Sequence, residues 1–194
     1  MKKVNIIIPA ILLLALFSCK INTINTISNN PDITEVNFNI SYDSSSISEI
    51  GLNINNDPVS DYYFYNSFSL GGEKSLYFDK NYHLITPYNE FLCDTTEIDA
   101  SIEAYGLKEI ANNTLIGPDS KLWFYQGFVY SETGVSFIST LPNNDQFIGI
   151  RFYISGQFHY GWIRVNFNNT THTFKVIDGA YNTIPNTPIK AGEI

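Results

Sequence analysis

The chain has 194 residues, and its 19 Asp and Glu outnumber its 11 Lys and Arg, which gives a formal net charge of −8 at pH 7. An acidic surface argues against nucleic acid as a partner and against binding anionic lipid headgroups through a basic patch. With only two cysteines there is no disulfide framework to shape the fold.

Residues 1–18 have the layout of an export signal. Lys2 and Lys3 give it a positive start. Residues 6–17 then form an apolar run that is too short to span a bilayer, which requires about 20 apolar residues. We therefore predict that this segment is a signal peptide and takes no part in the folded domain.

The signal ends in Leu-Phe-Ser-Cys at 16–19, which resembles the lipobox of bacterial lipoproteins. The resemblance implies that the chain is cut before Cys19, that the thiol carries a diacylglycerol and that the new amino group is acylated (palmitate is the expected fatty acid). Several acyl chains on one residue bind a membrane firmly. Lys20 is not the Asp that marks inner-membrane retention, so we expect an outer-membrane lipoprotein. The alternative is an ordinary secretory signal with a chance cysteine.

The rest of the chain is predicted to be a tether followed by one domain. Residues 19–34 are rich in Asn, Thr and Ser, which is typical of a flexible linker. Residues 35–194 are of a length that normally forms a single domain.

Apolar and polar residues alternate with a period of two in several parts of this domain, and no segment shows a helical stripe. Gly, Asn, Asp and Pro clusters separate the alternating runs, as expected for turns. We therefore predict an all-β fold, an antiparallel two-sheet β-sandwich of jelly-roll-like character. The predicted inward-facing residues are Val36, Phe38, Ile40 and Tyr42; Ile50, Leu52 and Ile54; and Ile98, Ala100, Ile102 and Ala104.

The clearest hairpin lies in residues 148–167. A type II′ turn at Gly156-Gln157 would place Ile150 opposite Ile163. A turn at Ser155-Gly156 would change the partners but would leave every side chain on the same face.

The two faces of this hairpin differ in chemistry. The aliphatic face should be core, whereas the aromatic and cationic face has two interpretations. Rings and guanidinium groups that stack across strands stabilise a sheet, which is the interpretation we favour; the same groups also form sugar-binding platforms. The aliphatic face consists of Ile148, Ile150, Phe152, Ile154, Ile163, Val165 and Phe167, and the candidate ligand face consists of Arg151, Tyr153, Tyr160, Trp162 and Arg164.

Two stretches near the C-terminus, FIGIRFYISGQFHYGWIRVNF at 147–167 and VIDGAYNTIPNTPIKAG at 176–192, resemble the C-terminal part of a family of bacterial exported β-sandwich proteins. Members of that family are secreted or lipid-anchored, and the resemblance implies a location and a fold but no reaction. Pro185 and Pro188 favour an extended chain. We expect the C-terminal segment to lie along the body as an edge strand or clasp.

The same family commonly has an early segment of the form Asp-x-Asn-x-Asp-Gly-x-x-Asp-Phe, which NINNDPVSDYYF at 53–64 resembles. The resemblance implies a calcium loop, since Ca²⁺ prefers six to eight hard oxygen ligands. Pro58 stands where the turn glycine is expected, Phe64 stands where a bidentate Glu would be, and the first ligand is Asn rather than Asp. A bound Ca²⁺ would therefore be structural and weak, and the alternative is a turn whose side chains cap the backbone. The candidate ligands are Asn53, Asn55, Asp57, Val59 (through its carbonyl) and Asp61.

Catalytic signatures are absent from the sequence: it has no HExxH, GxSxG or phosphate-loop segment. Its histidines at 83, 159 and 172 are scattered, and Cys93 is expected to be a small buried residue. Acidic side chains such as Glu97, Asp99 and Asp119 have ordinary explanations as strand or turn residues.

Three functions remain open. The leading one is a non-catalytic envelope lipoprotein that acts in binding or envelope structure, with glycans as one candidate ligand. The second is a small glycan-acting hydrolase whose carboxylates converge only in the fold. The third is a structural partner of an outer-membrane complex.

Overall fold

The structure is a computed structural model, and it describes residues 30–43, 50–68, 74–80, 89–99, 104–133, 136–139, 141–168, 170–171 and 173–194. Across these ranges every regular element is a β-strand, so the predicted all-β class is confirmed. The signal peptide, Cys19, most of the tether and the histidines at 83 and 172 lie outside the described residues.

The strands are numbered in chain order. They are β1 Ile33–Asp43, β2 Ile50–Leu52, β3 Tyr62–Phe68, β4 Lys74–Lys80, β5 Glu90–Asp99, β6 Ala104–Leu107, β7 Glu109–Ile110, β8 Leu115–Ile116, β9 Trp123–Phe124, β10 Gln126–Thr133, β11 Ser136–Ser139, β12 Asp145–Ile154, β13 Gln157–Asn168, β14 Thr173–Asn182 and β15 Ile189–Lys190.

Strand β5 belongs to both layers of the sandwich. The main hydrogen-bonded path runs β1-β14-β13-β12-β5-β6-β10-β4-β3-β2, with β7, β9 and β11 attached to its side. We call the part from β1 to β5 sheet A and the part from β5 to β2 sheet B. Pairing along the path is antiparallel, except that β6 and β10 run parallel.

The two sheets face each other across a first core cluster. Phe64 of sheet B meets Phe174 of sheet A edge-on, with ring centroids 5.7 Å apart, and Tyr62 contacts Phe91 at 4.7 Å. Fully burying such a side chain is worth about 1.5–3 kcal/mol, so this layer is the main stabilising element. The predicted aliphatic face of the hairpin lies in this cluster, with Ile154 at its margin; Val36, Phe38, Leu52, Ile54 and Cys93 are buried there too.

The β12–β13 hairpin has the alternative turn, so the type II′ turn at Gly156-Gln157 was wrong. Ile154 pairs with Gln157, and both Ser155 and Gly156 have positive φ (50° and 89°), as a type I′ turn requires. This register places Trp162 opposite Gly149, so the largest side chain of β13 faces the smallest residue of β12. The two faces are as predicted, because the change of turn preserves the alternation.

Two other strand predictions need correction. The alternation over 98–104 spans a chain reversal, since Asp99 at the end of β5 pairs antiparallel with Ala104 at the start of β6; residues 100–103 are outside the described part. The alternation of apolar and polar residues continues across this reversal, and residues 98–104 contain no Gly or Pro that would indicate a turn. At the N-terminal end, β1 begins at Ile33, two residues before the predicted domain start, and Ile33 is buried.

A second core cluster covers the opposite face of sheet A. The residues that cover it come from segment 108–123 and from the C-terminal clasp, which we define as residues 183–194. The clasp is held by backbone hydrogen bonds, including Ala191 N to Thr114 O (2.9 Å) and Asn186 N to Phe158 O (2.8 Å). The second core cluster consists of Ile33, Leu92, Ile110, Ile116, Tyr160, Trp162, Ala180, Ile189 and Ala191, with Trp123, Phe147 and Phe158 packed against it.

Two glycines of the hairpin should respond differently to substitution by alanine. Gly156→Ala should destabilise the protein by about 1 kcal/mol, because an L-residue disfavours the left-handed backbone and the added Cβ meets nothing within 4 Å. Gly161→Ala should cost about 3 kcal/mol, because its Cβ would lie 2.6 Å from the backbone oxygen of Ala180. Denaturant unfolding measures both, and a larger loss for Gly156→Ala would contradict this order.

Candidate functional site

The predicted ligand face of β12 and β13 is largely internal. Tyr160 and Trp162 are each only 3% exposed, and both belong to the second core cluster. Trp162 packs edge-on against Phe147 at 5.2 Å, and its Nε1 donates a hydrogen bond to the Glu193 carbonyl of the clasp at 3.2 Å. Neither ring presents a flat face to solvent, which agrees with the packing interpretation that we favoured and not with the alternative of an exposed stacking platform at these two rings.

Arg151 lies at the margin of the same cluster, between two rings. Its guanidinium carbon is 4.9 Å from the ring centroid of Trp123 and 4.8 Å from that of Phe158. Its Nε and Nη2 donate to the Glu90 carboxylate at the start of β5. Two cation–π contacts and a carboxylate leave Arg151 fully engaged in holding β12 to its neighbours.

Arg164 makes a comparable pair with Asp178 on the adjacent strand β14. Its Nε donates to Asp178 Oδ1 at 3.0 Å, and its Nη2 donates to the other carboxylate oxygen. Burial raises the pKa of Asp178, and the attraction of Arg164 only partly opposes that rise. The pair thus links neighbouring strands of sheet A. The packing interpretation accounts for the contacts of both Arg151 and Arg164.

Substitution of Trp162 should reveal its packing role. We expect Trp162→Ala to lower the free energy of unfolding by about 3–5 kcal/mol, because it would empty the second core cluster and remove the bond to the clasp. Tyr153→Ala, at a half-buried position of the same face, should cost about 1–2 kcal/mol. Chemical denaturation compares the two, and a smaller loss for Trp162→Ala would show that the ring is not a core element.

The candidate calcium loop, residues 53–61, connects β2 to β3. Asn53 and Asp61 at its two ends are 3% and 5% exposed, whereas Asp57 and Val59 in its middle are exposed. The loop closes through the backbone, since Asp61 N donates to Leu52 O at 2.7 Å. Two of the candidate donor groups are therefore inside the protein and two are at the surface.

Side chains of the loop do cap its backbone, as the alternative interpretation predicts. Asn55 Oδ1 accepts from Asp57 N at 3.1 Å, and Asp57 Oδ1 accepts from Val59 N at 2.7 Å. Asn53 Nδ2 donates to the carbonyl oxygen of Asp57. These bonds satisfy the turn. They do not involve the Asn53 amide oxygen or the Asp61 carboxylate, which are the buried groups.

Asp61 is a buried carboxylate with few compensating contacts. Its Oδ2 accepts from Ile54 N at 2.7 Å. Burial raises the pKa of Asp61 from 3.8 to about 7; backbone hydrogen bonds from Ile54 and Asn55 oppose this rise, and the negative charge of Asp57 adds to it. Burying an ionised carboxylate beside a like charge is unfavourable, so Asp61 retains its proton to higher pH than an exposed Asp does.

Asn53 is the other unusual group of the loop. Its Oδ1 is buried without a hydrogen-bond partner, which within the described residues is true of no other buried side-chain nitrogen or oxygen. An unsatisfied buried acceptor costs about 1–3 kcal/mol. This oxygen and the Asp61 carboxylate are hard ligands of the kind that Ca²⁺ prefers. Both carboxylate oxygens of Asp57, in contrast, already accept hydrogen bonds, from Val59 N at 2.7 Å and from Asn55 Nδ2 at 2.9 Å.

His159 and Asp119, the two candidate acid–base groups whose side chains the structure describes, do not pair with each other. His159 is buried, and its Nδ1 donates to the Asn182 carbonyl at 2.9 Å, which agrees with a satisfied core histidine. Asp119 is exposed, while the side chains of Glu97 and Asp99 lie outside the description. In the described part of the chain, no three His, Cys, Asp or Glu side chains come together as a metal site.

Asn89 and Glu90 make contacts at the candidate sites that the sequence did not indicate. Asn89 Nδ2 donates to the Asp61 carbonyl at 3.0 Å, and its Oδ1 accepts from Tyr153 N at 3.2 Å, so it links the loop to β12. Glu90 neutralises Arg151 from 61 residues away. An inward arginine does require a carboxylate, but nothing local to Arg151 identifies which one.

Comparison of the chain with protein-family models, with curated proteins and with solved structures finds no match. The resemblance of residues 147–167 and 176–192 to exported β-sandwich proteins is therefore still a prediction. No helix among the described residues has the length and apolar character needed to cross a bilayer.

Proposed function

We propose that this chain is a lipid-anchored protein of the bacterial cell envelope, and that its β-sandwich acts without catalysis, in binding or in envelope structure. The observation that supports it is the order of features along the sequence. A positive start and a short apolar run end at Cys19, and a β-sandwich domain follows within about 15 residues. The expected place is the outer membrane, with the domain facing the periplasm or the exterior.

A non-catalytic role is also supported by the contacts of the charged and titratable side chains on the β12–β13 hairpin. Arg151 and Arg164 are each paired with a carboxylate, and His159 is hydrogen-bonded in the core. General acid–base chemistry needs a group within reach of a substrate. The groups that sequence analysis singled out on the hairpin instead hold strands together.

Glycan binding is a narrower version of this proposal. Because Tyr160 and Trp162 are buried, it depends on the other aromatic side chains near Arg151. Tyr153, Phe158 and Trp123 are half-buried around Arg151, and Tyr153 and Phe158 meet edge-on at 5.1 Å. Such rings can stack on sugars where an edge or a face reaches solvent. Retention of the protein on a gel of envelope polysaccharide, reduced several-fold by Tyr153→Ala, would support this version; equal retention of both proteins would remove it.

The lipid anchor gives a direct test of the main proposal. Cys19→Ser should abolish lipidation and cleavage, because no thiol remains to accept the diacylglycerol. Intact-mass measurement of the purified protein should then show the uncut chain without acyl groups, whereas the wild-type protein should have the mass of residues 19–194 plus its acyl groups.

Cys93→Ala is the matched control, because it removes the other cysteine, which lies in the core, and should leave lipidation unchanged. An unmodified Cys19 in the wild-type protein would refute the anchor. The alternative role, as a structural partner in an outer-membrane complex, predicts that the lipidated protein co-purifies with other envelope proteins from mild detergent.

A further inference from the structure

Three turn segments lie together at one end of sheet A, where the tether enters the domain. We call this end the near pole and define it as residues 30–32, 155–157 and 183–187. We propose that the near pole is the surface of the domain that contacts the lipid bilayer, with Ile184 as its apolar contact. The inference rests on the proposed lipid anchor at Cys19, and it adds which surface the anchor brings to the membrane.

Strand pairing and the clasp bring the three segments together. Ile33 at the start of β1 pairs with Asn182 at the end of β14. Asn186 N donates to Phe158 O at 2.8 Å, which places the first part of the clasp beside the start of β13. Strand β13 then runs the length of the sheet and ends at Asn168, at the opposite end, which we call the far end.

Hydrogen bonds fix the point where the tether enters the near pole. The Asp32 carbonyl accepts from Thr183 N at 2.7 Å and from Thr183 Oγ1 at 3.0 Å. Asn30 belongs to the same turn, since its carbonyl accepts from Ile33 N at 3.0 Å and its Oδ1 accepts from Asp32 N at 3.0 Å. The anchored chain is therefore bonded directly to the residue that precedes Ile184.

The length of the tether keeps the near pole closer to the bilayer than the far end. Eleven residue steps join Cys19 to Asn30, and an extended chain spans at most about 3.6 Å per residue, or about 40 Å. Strand β13 alone has 12 residues and is about 40 Å long at about 3.3 Å per residue. The far end could touch the membrane only with the whole tether extended along the body, and conformational entropy opposes such ordering.

Ile184 is a large apolar side chain that the near pole presents to solvent, and it is 43% exposed. Its backbone is held in place, because Ile184 N donates to Asn182 Oδ1 at 2.9 Å and Asn182 Nδ2 donates to the Pro188 carbonyl at 3.3 Å. A single exposed isoleucine is ordinary on a protein surface. This one lies beside the fixed entry of a lipid-anchored chain, where the bilayer is the apolar phase within reach.

The charge of the near pole fits headgroups without net charge. Asp32 is its one charged side chain, and the near pole contains no Lys or Arg. Anionic lipid attracts protein surfaces through clusters of Lys and Arg. The contact is therefore with a zwitterionic lipid surface, and it is made by the anchor and Ile184 rather than by ion pairs.

The test uses the lipidated protein in vesicles of phosphatidylcholine and phosphatidylethanolamine. In a Cys93→Ala background the modified Cys19 leaves no free thiol, so a fluorescent maleimide can be attached at Gln157→Cys in the near pole or at Thr170→Cys at the far end. Both positions are exposed. Lipids with a nitroxide at the headgroup should quench the label at 157 several-fold more strongly than the label at 170, whereas equal quenching would overturn the proposal.

Flotation of the vesicles separates a failure of this inference from a failure of the anchor. Protein that floats with the vesicles is anchored, so equal quenching of floated protein would overturn the near-pole contact and leave the anchor standing. Protein that does not float would refute the anchor, and the near-pole contact with it.

A serine substitution tests the part assigned to Ile184. In the Gln157→Cys protein, Ile184→Ser should reduce the quenching, because a polar side chain gains little at the membrane interface. Ile194→Ser is the matched control, since Ile194 is 44% exposed and lies outside the near pole, and it should leave the quenching unchanged. Equal effects of the two substitutions would overturn the role of Ile184, and stronger quenching on addition of phosphatidylglycerol would overturn the choice of zwitterionic lipid.

Discussion

Sheet A is buried on both faces, and the rest of the structure depends on this double burial. Antiparallel sheets often cover one face and leave the other to water. Here sheet B covers one face, while segment 108–123 and the clasp cover the other. Tyr160 and Trp162 are therefore interior residues. Arg151 and Arg164 lie part-buried on the same face, and each pairs with a carboxylate, that of Glu90 or Asp178.

The sequence could predict which side chains share a face, but it could not predict what covers that face. Alternation along β12 and β13 places Ile163 and Trp162 on opposite sides, and moving the turn by one residue does not change this. The cover over Trp162 comes from Ile116 and Ile189, which are distant in sequence and lie in strands of only two residues. Two-residue strands have no periodicity to read, so the burial of Trp162 was not visible beforehand.

The loop at 53–61 shows the same limit for a candidate site. Residue types identified oxygen donors, and the spacing by two indicated a turn. The burial of Asn53 and Asp61 is a property of the assembled sheets, since Asn89 and β12 close over that end of the loop. The local sequence therefore identified the oxygen donors of the loop. Only the packed structure shows that the side chains of Asn53 and Asp61 are buried.

The clasp also affects when the molecule can complete its fold. Ile189 and Ala191 are buried members of the second core cluster, and they are among the last six residues of the chain. Because these residues pack in the same cluster as Trp162, the second core cluster is complete only once the clasp is in place.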